Sequence, residues 1–293
     1  MDVYITGSNA FFLSGELATL LTGRYVEKRV MPFSFAEYCQ ARNASHEENT
    51  SIESLFDDYL TYGGLPLTAT FHENESLIHD YLAGVFSTII NVDIAQRAPQ
   101  MNMRMILDTA SFLADNIGNI SSLKSISNSL KASGRSISPT SIAEYIDILL
   151  ENFLLYKARR FDVKGKEYLH SLEKYYLGDL GLRFWLLGKN NNDIGHTIEN
   201  LVYLELLRSY GTVDIGKVDR NKIDFVTRSG DNVHYFQIAT TVLDEHTRER
   251  ELKPLRAIKD NHPKFLLTLD RIGLGSIDGI THRNLIDWLM KKE

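Results

Sequence analysis

The sequence has 293 residues, 43% hydrophobic and 24% charged, proportions that exclude a wholly disordered, collagenous or coiled-coil chain and, at about 100 to 200 residues per domain, suggest two compact domains or three small ones. Its 32 Lys and Arg against 38 Asp and Glu leave a net charge of −6, so it is no bulk polycation and any contact with nucleic acid must come from a local patch. One cysteine, Cys39, rules out an intrachain disulfide and a multi-cysteine zinc site; with no run near 18 apolar residues and no signal-peptide layout at Met1-Asp2-Val3-Tyr4, a soluble cytoplasmic protein without a membrane partner is expected.

The β-prone run Val3-Tyr4-Ile5 stops at Gly7-Ser8-Asn9, and Leu13, Leu17, Leu20 and Leu21 then follow helical spacing to Gly23. Tyr25 to Val30 predicts a second strand, broken by Pro32. Two strands and a helix bury no core alone, so this piece leans on a partner or on the rest of the chain. Asn43 to Thr50 is polar and predicts a loop. Helical spacing returns from Leu55 to Phe71 and from Leu77 to Ile94.

Residues 120–175 carry net +3, against −9 before them and zero after them. Around this basic segment the pattern is regular. Ile106, Ala110, Leu113 and Ile117 mark one helix, and Leu123, Ile126 and Leu130 a second, ending at Ala132-Ser133-Gly134. Ser138 is an N-cap with Pro139 at the first position of a third, carrying Ile142, Tyr145, Ile146, Leu149 and Leu150. Runs at Phe153–Tyr156 and Tyr175–Leu177 then flank the turn Val163-Lys164-Gly165-Lys166. Three helices followed by a hairpin is the order of a winged helix-turn-helix. Residues 196–270 read as a helix, strands at Val213–Val218, Ile223–Thr227 and Val233–Ile238, a polar helix at Glu245–Lys259 and a strand at Phe265–Leu269.

Few of these segments carry recognisable chemistry. The stretch Gly211 to Val218 approaches a phosphate-binding loop, but Val stands where a magnesium ligand belongs and its interior alternates as a strand. Nine histidines form no metal-spaced cluster, and Cys39 beside Tyr38 reads as core. In the last segment Glu199 on a helix, Asp224 on a strand and Gln237 on the next have the layout of a metal-dependent nuclease. The αβββαβ order is similar to the restriction-endonuclease-like fold, whose lysine two residues after the second acid is Ala239 here. Gln237 is also neutral, so the site is expected to be vestigial, with Asp224 paired to Lys222 or Arg228 and Lys222 or Lys217 as spatial substitutes. For the winged helix, Lys131, Arg135, Lys157, Arg159, Arg160, Lys164 and Lys166 are the candidate nucleic-acid contacts. Its third helix carries Glu144, Asp147 and Glu151, which oppose a phosphate-lined groove.

The segments Tyr4-Ile5-Thr6-Gly7-Ser8-Asn9, Leu21-Thr22-Gly23-Arg24-Tyr25 and Pro32-Phe33-Ser34-Phe35, with Phe161 to Lys166, Lys174-Tyr175-Tyr176, Asp179 to Arg183, Glu199-Asn200 and Ile223 to Val226, closely resemble one group. It is the prokaryotic AAA+ ATPases that end in a winged helix and a restriction-endonuclease-like domain of unknown function. The resemblance implies an α/β multidomain chain: a remnant of the AAA+ sheet at 1–42, a helical linker or lid at 43–100, a winged helix at 101–178 and the nuclease-like domain at 179–293. It implies ATP and Mg as cofactors of the family, Asn9 as a sensor and Arg24 as an arginine finger for a neighbouring subunit. Walker A and Walker B segments are absent upstream of the Thr-Gly-Ser-Asn strand, so this chain alone is expected to hydrolyse no ATP and to hold no cofactor. It reads as the C-terminal part of such an ATPase, with DNA, an upstream ATPase fragment or further copies of itself as partners. The alternative is a non-enzymatic DNA-binding or protein-interaction module without its motor.

Overall fold

The computed structural model describes residues 26–44, 50–71, 74–135, 137–169, 172–189 and 193–291, with Tyr4, Gly7 and Arg24 besides. The strand expected at Val3–Ile5, the helix at 13–21 and Asn9 lie outside the described residues. Residues 26–30, expected as a strand, join no ladder among the described strands and are exposed, with Arg29 lying 4.9 Å over the Phe153 ring. The chain after them is tied down at Pro32 and Phe33. Arg208 donates to the Pro32 carbonyl (2.8 Å), Phe33 donates its N–H to Gly64 (2.8 Å), and the Tyr59 hydroxyl donates to the Phe33 carbonyl (2.6 Å).

A helical layer follows. Helix α1 (Phe35–Ala44) buries Cys39, and α2 (Ile52–Tyr62) ends where Gly63 adopts a positive φ of 77°. The helix expected to run from Leu55 to Phe71 therefore stops at Tyr62, and only a 3-10 turn, Pro66–Ala69, comes after it. Helix α3 (Glu75–Thr88) continues through a π-helical stretch, Ile89–Ile94, to Arg97. Among the described residues it is long and apolar enough to cross a membrane. Its buried stripe Ile78, Leu82, Phe86, Ile90 and Ile94 belongs to the protein core, and Phe86 stacks on Trp185 at 5.8 Å.

Helix α4 (Met103–Asp115), the short strand β1 (Ile120–Ser121), α5 (Leu123–Ala132) and α6 (Pro139–Glu151) come next. Ser138 caps α6 by accepting from the Ser141 N–H (3.0 Å), as its sequence signature predicts. The strand expected at Phe153 begins two residues later: Phe153 takes a φ of 55° as the chain leaves the helix, and β2 spans Leu155–Ala158. Strands β3 (Arg160–Asp162), β4 (Glu167–Tyr168) and β5 (Glu173–Leu177) complete the region. β1, β5 and β2 form an antiparallel sheet in that order.

The turn at 163–166, expected to join the two strands of one hairpin, instead joins β3 and β4, which leave the small sheet. Helix α7 (Leu180–Leu187) packs on α2, α3 and α4, in the helical layer rather than with the last segment. Helix α8 (Ile194–Tyr210), strands β6 (Val213–Val218), β7 (Asn221–Ser229) and β8 (Asn232–Ile238), helix α9 (Glu245–Arg256), strands β9 (Lys264–Thr268), β10 (Gly275–Ile277) and β11 (Ile280–Asn284), and α10 (Leu285–Leu289) follow. The large sheet runs β10-β11-β9-β8-β7-β6-β3-β4, so two of its strands come from within 101–178. α8 covers one face through Val202, Leu206, Phe225 and Phe236, and α9 covers the other through Leu252, Leu255, Val226 and Leu266. The first core is continuous from Phe35 to Leu289, which is why the sequence boundary at 178 does not divide the packing.

Asp179 fastens the helical layer to this frame. It caps α7 through Gly181 N–H (2.7 Å) and accepts Gly64 N–H (2.7 Å) from the α2 turn. A Cβ on Gly63 would lie 2.0 Å from its carboxylate. Loss of a helix cap costs about 1 kcal/mol and an unsatisfied buried N–H about 1–3. Asp179→Ala should therefore lower unfolding free energy by about 2–4 kcal/mol, read as a fall in the urea midpoint at unchanged slope.

Candidate functional site

The helical spacing of α8 directs Glu199 toward the junction of the two sheets, where strand alternation puts Lys174 and Tyr176 of β5 on one face. Lys174 Nζ donates to Glu199 Oε1, and the Tyr176 hydroxyl donates to the same oxygen at 2.6 Å. The Tyr176 ring stacks on Tyr203 of α8 at 4.2 Å and lies 5.5 Å from Phe225 of β7. One residue along α8, Asn200 pairs with both backbone groups of Leu177, accepting its N–H (2.7 Å) and donating to its carbonyl (3.1 Å). Strand β5 is thereby held on α8 by its side chains and by its backbone.

Asp224 of β7 completes the cluster. Lys222 Nζ lies 3.4 Å from Asp224 Oδ1, and the Ile238 N–H donates to Oδ2 at 3.0 Å. Arg228, the other partner expected for Asp224, instead binds Asp214 (2.8 Å) and the Tyr168 hydroxyl (2.5 Å). Gln237 of β8 accepts from the Asp224 N–H (3.4 Å) and donates to Glu251 of α9 (2.8 Å). Glu199, Asp224, Gln237 and Lys174 are all buried, Lys174 to 1% exposure. The structure thus brings the three sequence-predicted residues to one place.

Burial would lift both carboxyls. At Glu199 the charges of Lys174 and Lys222, with hydrogen bonds from Lys174 and Tyr176, outweigh burial and hold the group below its ordinary range. At Asp224 burial and the neighbouring Glu199 charge prevail over Lys222 and Lys174, and the carboxyl is pushed up to about 6. Burial draws the Lys174 ammonium down, although Glu199 opposes it. Burial also opposes charge on Lys222, but Asp224 and Glu199 outweigh it and raise that ammonium.

A divalent cation ligated by Glu199, Asp224 and Gln237 does not fit this donor set. The Gln237 oxygen is engaged by the Asp224 N–H, an ammonium already sits on Glu199, and a second lies beside Asp224. Among the described residues no group of three or more His, Cys, Asp or Glu side chains is arranged to hold a metal ion. Lys174, Tyr176 and Asn200 were not singled out from the sequence as site residues. For Lys174 the available signal is its place directly before the run Tyr175-Tyr176-Leu177, two residues from a tyrosine on the same strand face.

Several of the basic residues are engaged by neighbouring side chains. Arg135 pairs with Asp108 (2.5 Å), Lys157 with Glu173 (3.3 Å) and Lys164 with Asp219 (2.6 Å). Arg159 lies 3.9 Å over the Tyr168 ring, and Arg160 is in β3 beside β6. Lys131 in the last turn of α5 and Lys166 in the β3–β4 turn are exposed on separate elements. Glu144, Asp147 and Glu151 are exposed along α6. Arg24 is exposed.

Comparison with known proteins brings two regions into relation with described families. Residues 53–193 match a domain of unknown function, DUF8612, and residues 1–39 match the AAA domain. The first match ends beyond α7, in keeping with the packing of that helix in the helical layer. An uncharacterized protein of Haemophilus influenzae is 40% identical over 290 residues, 99% of this chain and 71% of its own length. The uncharacterized protein MJ1544 of Methanocaldococcus jannaschii is 29% identical over 93% of this chain and 62% of its own length. The crystal structure of protein VC1899 from Vibrio cholerae aligns with 93% of this chain and 63% of its own at a TM-score of 0.22 and 11% identity, too distant a likeness to inform the fold. This chain therefore belongs to the family of the Haemophilus influenzae protein, and the match over residues 1–39 suggests a relation to AAA-type ATPases.

Proposed function

We propose that this chain is the C-terminal part of an AAA-type ATPase and serves as a non-cutting, partner-binding portion. In this reading α4, α5 and α6 with the β1-β5-β2 sheet form a winged helix-turn-helix. The run α8-β6-β7-β8-α9-β9 forms a restriction-endonuclease-like unit, extended by β10, β11 and α10. ATP and Mg²⁺ enter through the AAA relation alone, as do Asn9 as sensor, Arg24 as arginine finger and a cytoplasmic location.

The observation that carries the non-cutting reading is the pair of ammonium groups at the acids. Phosphodiester hydrolysis needs a cation that polarises the phosphate and a group that stabilises developing charge beside the attacking water. Here Lys174 and Lys222 are spent on Glu199 and Asp224, and Ala239 offers no ammonium of its own. Losing one preorganised charged group costs about two to three orders of magnitude in rate. The exposed acids of α6 and the paired state of Arg135, Lys157 and Lys164 favour a basic protein surface over DNA as the winged helix's partner.

Incubation with DNA or RNA and Mg²⁺ or Mn²⁺ should give no cleavage. Robust cleavage that disappears in both Glu199→Ala and Asp224→Ala would overturn the non-cutting reading. Titration of a short duplex should give weak binding with a shallow dependence on salt. A log–log slope of about −4 or steeper would reveal a phosphate-contacting array and restore DNA as the partner.

The Asp224 carboxyl, at about 6 against an ordinary 3.8, binds its proton more tightly in the folded chain than in the unfolded one. Its contribution to stability is therefore greatest below about pH 4 and is lost as pH rises to about 6. Asp179, also raised to about 6 by burial against two backbone hydrogen bonds, acts in the same sense. Glu199, held below its ordinary range, acts in the opposite sense, so the check is a difference: as pH rises through this window the urea midpoint of wild type should fall relative to that of Asp224→Asn.

A further inference from the structure

Helices α2 and α7 meet the first turn of α8 around a cavity of about 340 Å³, at the small end of the range for small-molecule sites. Its charges are sorted by element. Asp57 and Asp58 line it from α2, while Arg183 of α7 and Lys189, two residues beyond that helix, line it from α7. Two acids and two cations leave the lining with no net formal charge, but the separation of the signs gives it a polarity. Apolar surface lies with them, from Leu60 of α2 and Phe184 of α7.

The four charges also differ in depth. Arg183 is buried, and its Nε donates to the Ala114 carbonyl in the last turn of α4 (3.2 Å), which fixes the direction of the guanidinium. One of its terminal nitrogens lies 3.9 Å from Asp193. Asp58 is half-buried and lies 3.6 Å from Arg42. Asp57 and Lys189 are exposed at the rim, and neither forms an ion pair with another described residue; Lys189 Nζ lies 6.0 Å from the centre of the Tyr62 ring. A ligand with a single charge is drawn by one helix and repelled by the other. One with an ammonium and a carboxylate a few bonds apart gains from both, and an apolar remainder can rest on Leu60 and Phe184.

We propose that this cavity binds a small zwitterion, an α-amino acid with an apolar side chain, its ammonium toward Asp57 and Asp58 and its carboxylate toward Arg183 and Lys189. The proposal depends on neither the ATPase relation nor the non-cutting reading.

The test is calorimetric titration of the full chain with three probes: L-leucine, leucinamide, which keeps only the ammonium, and N-acetyl-L-leucine, which keeps only the carboxylate. L-Leucine should saturate at one equivalent, and each singly charged analogue should bind at least about tenfold more weakly. Asp57→Asn should reduce the preference over N-acetyl-L-leucine by about fivefold, and Lys189→Met should reduce the preference over leucinamide by about as much, the scale of one exposed charge contact. Both side chains are exposed, so the thermal midpoints of the unliganded variants should stay within about 2 °C of wild type. L-Leucine that fails to saturate by about 10 mM, equal affinity for the three probes, or preferences that either substitution leaves unchanged would overturn the proposal.

Discussion

The contact between Lys174 and Glu199 is the constraint around which the rest of this molecule is arranged. Burying either charge alone costs several kcal/mol, and mutual attraction repays that only when further hydrogen bonds satisfy both groups. Here the Tyr176 hydroxyl shares the carboxylate, and Lys222 and Asp224 extend the pair into an alternating chain of charges. Such a cluster tolerates no slippage of one element against another. A shift of β5 by one residue would turn Lys174 and Tyr176 away from Glu199 and present Glu173 and Tyr175 in their place. The Asn200 clamp on Leu177 and the Tyr176–Tyr203 stack set the same register by independent means.

The same junction engages several basic side chains of the segment 120–175. Between β2 and β5 the chain leaves the small sheet and adds β3 and β4 to the large one, with β3 parallel to β6. Arg159 and Arg228 then take up the rings of Tyr168 and Phe161, at 3.9 and 4.0 Å, and Lys164 reaches Asp219 in the β6–β7 turn. Cationic groups next to β3 and β4 thus help to seat that hairpin on the large sheet. Exposed ion pairs such as Lys164–Asp219 add little stability, about 0–1 kcal/mol; their effect is to leave less uncompensated positive charge on this surface.

Much of the local structure was legible in the sequence, because it depends on short-range chemistry. Ser138 with Pro139 predicted the start of α6, and the hairpin turn Ser229-Gly230-Asp231-Asn232 lies between β7 and β8. Where sequence expectation failed, the deciding partner lay far along the chain. β3 and β4 are three and two residues long, and β3 joins the large sheet by pairing with β6 some fifty residues away, so no local pattern marks them. The end of α2 at Tyr62 is fixed by the Gly63-Gly64 turn, which Asp179 holds from more than a hundred residues downstream. Glu199, Asp224 and Gln237 could be read as a set from their placement on consecutive elements. Lys174 could not, because its partner is identified only once β5 is laid on α8.

The acids of the junction and the acids of α6 have different physical meanings. Glu199 and Asp224 are buried, so their charges had to be neutralised inside the fold, and the lysines that do so were drawn from two separate sheets. Glu144, Asp147 and Glu151 are exposed at spacings of three and four residues along α6, where water screens them and the fold asks nothing of them. Internal neutralisation removes the first set from chemistry with an outside cation while β5 stays in place. The second set is left to act outward, and like charges on one helix face repel a phosphate backbone as readily as they attract a basic surface. Helix α6 thus presents three exposed acids outward.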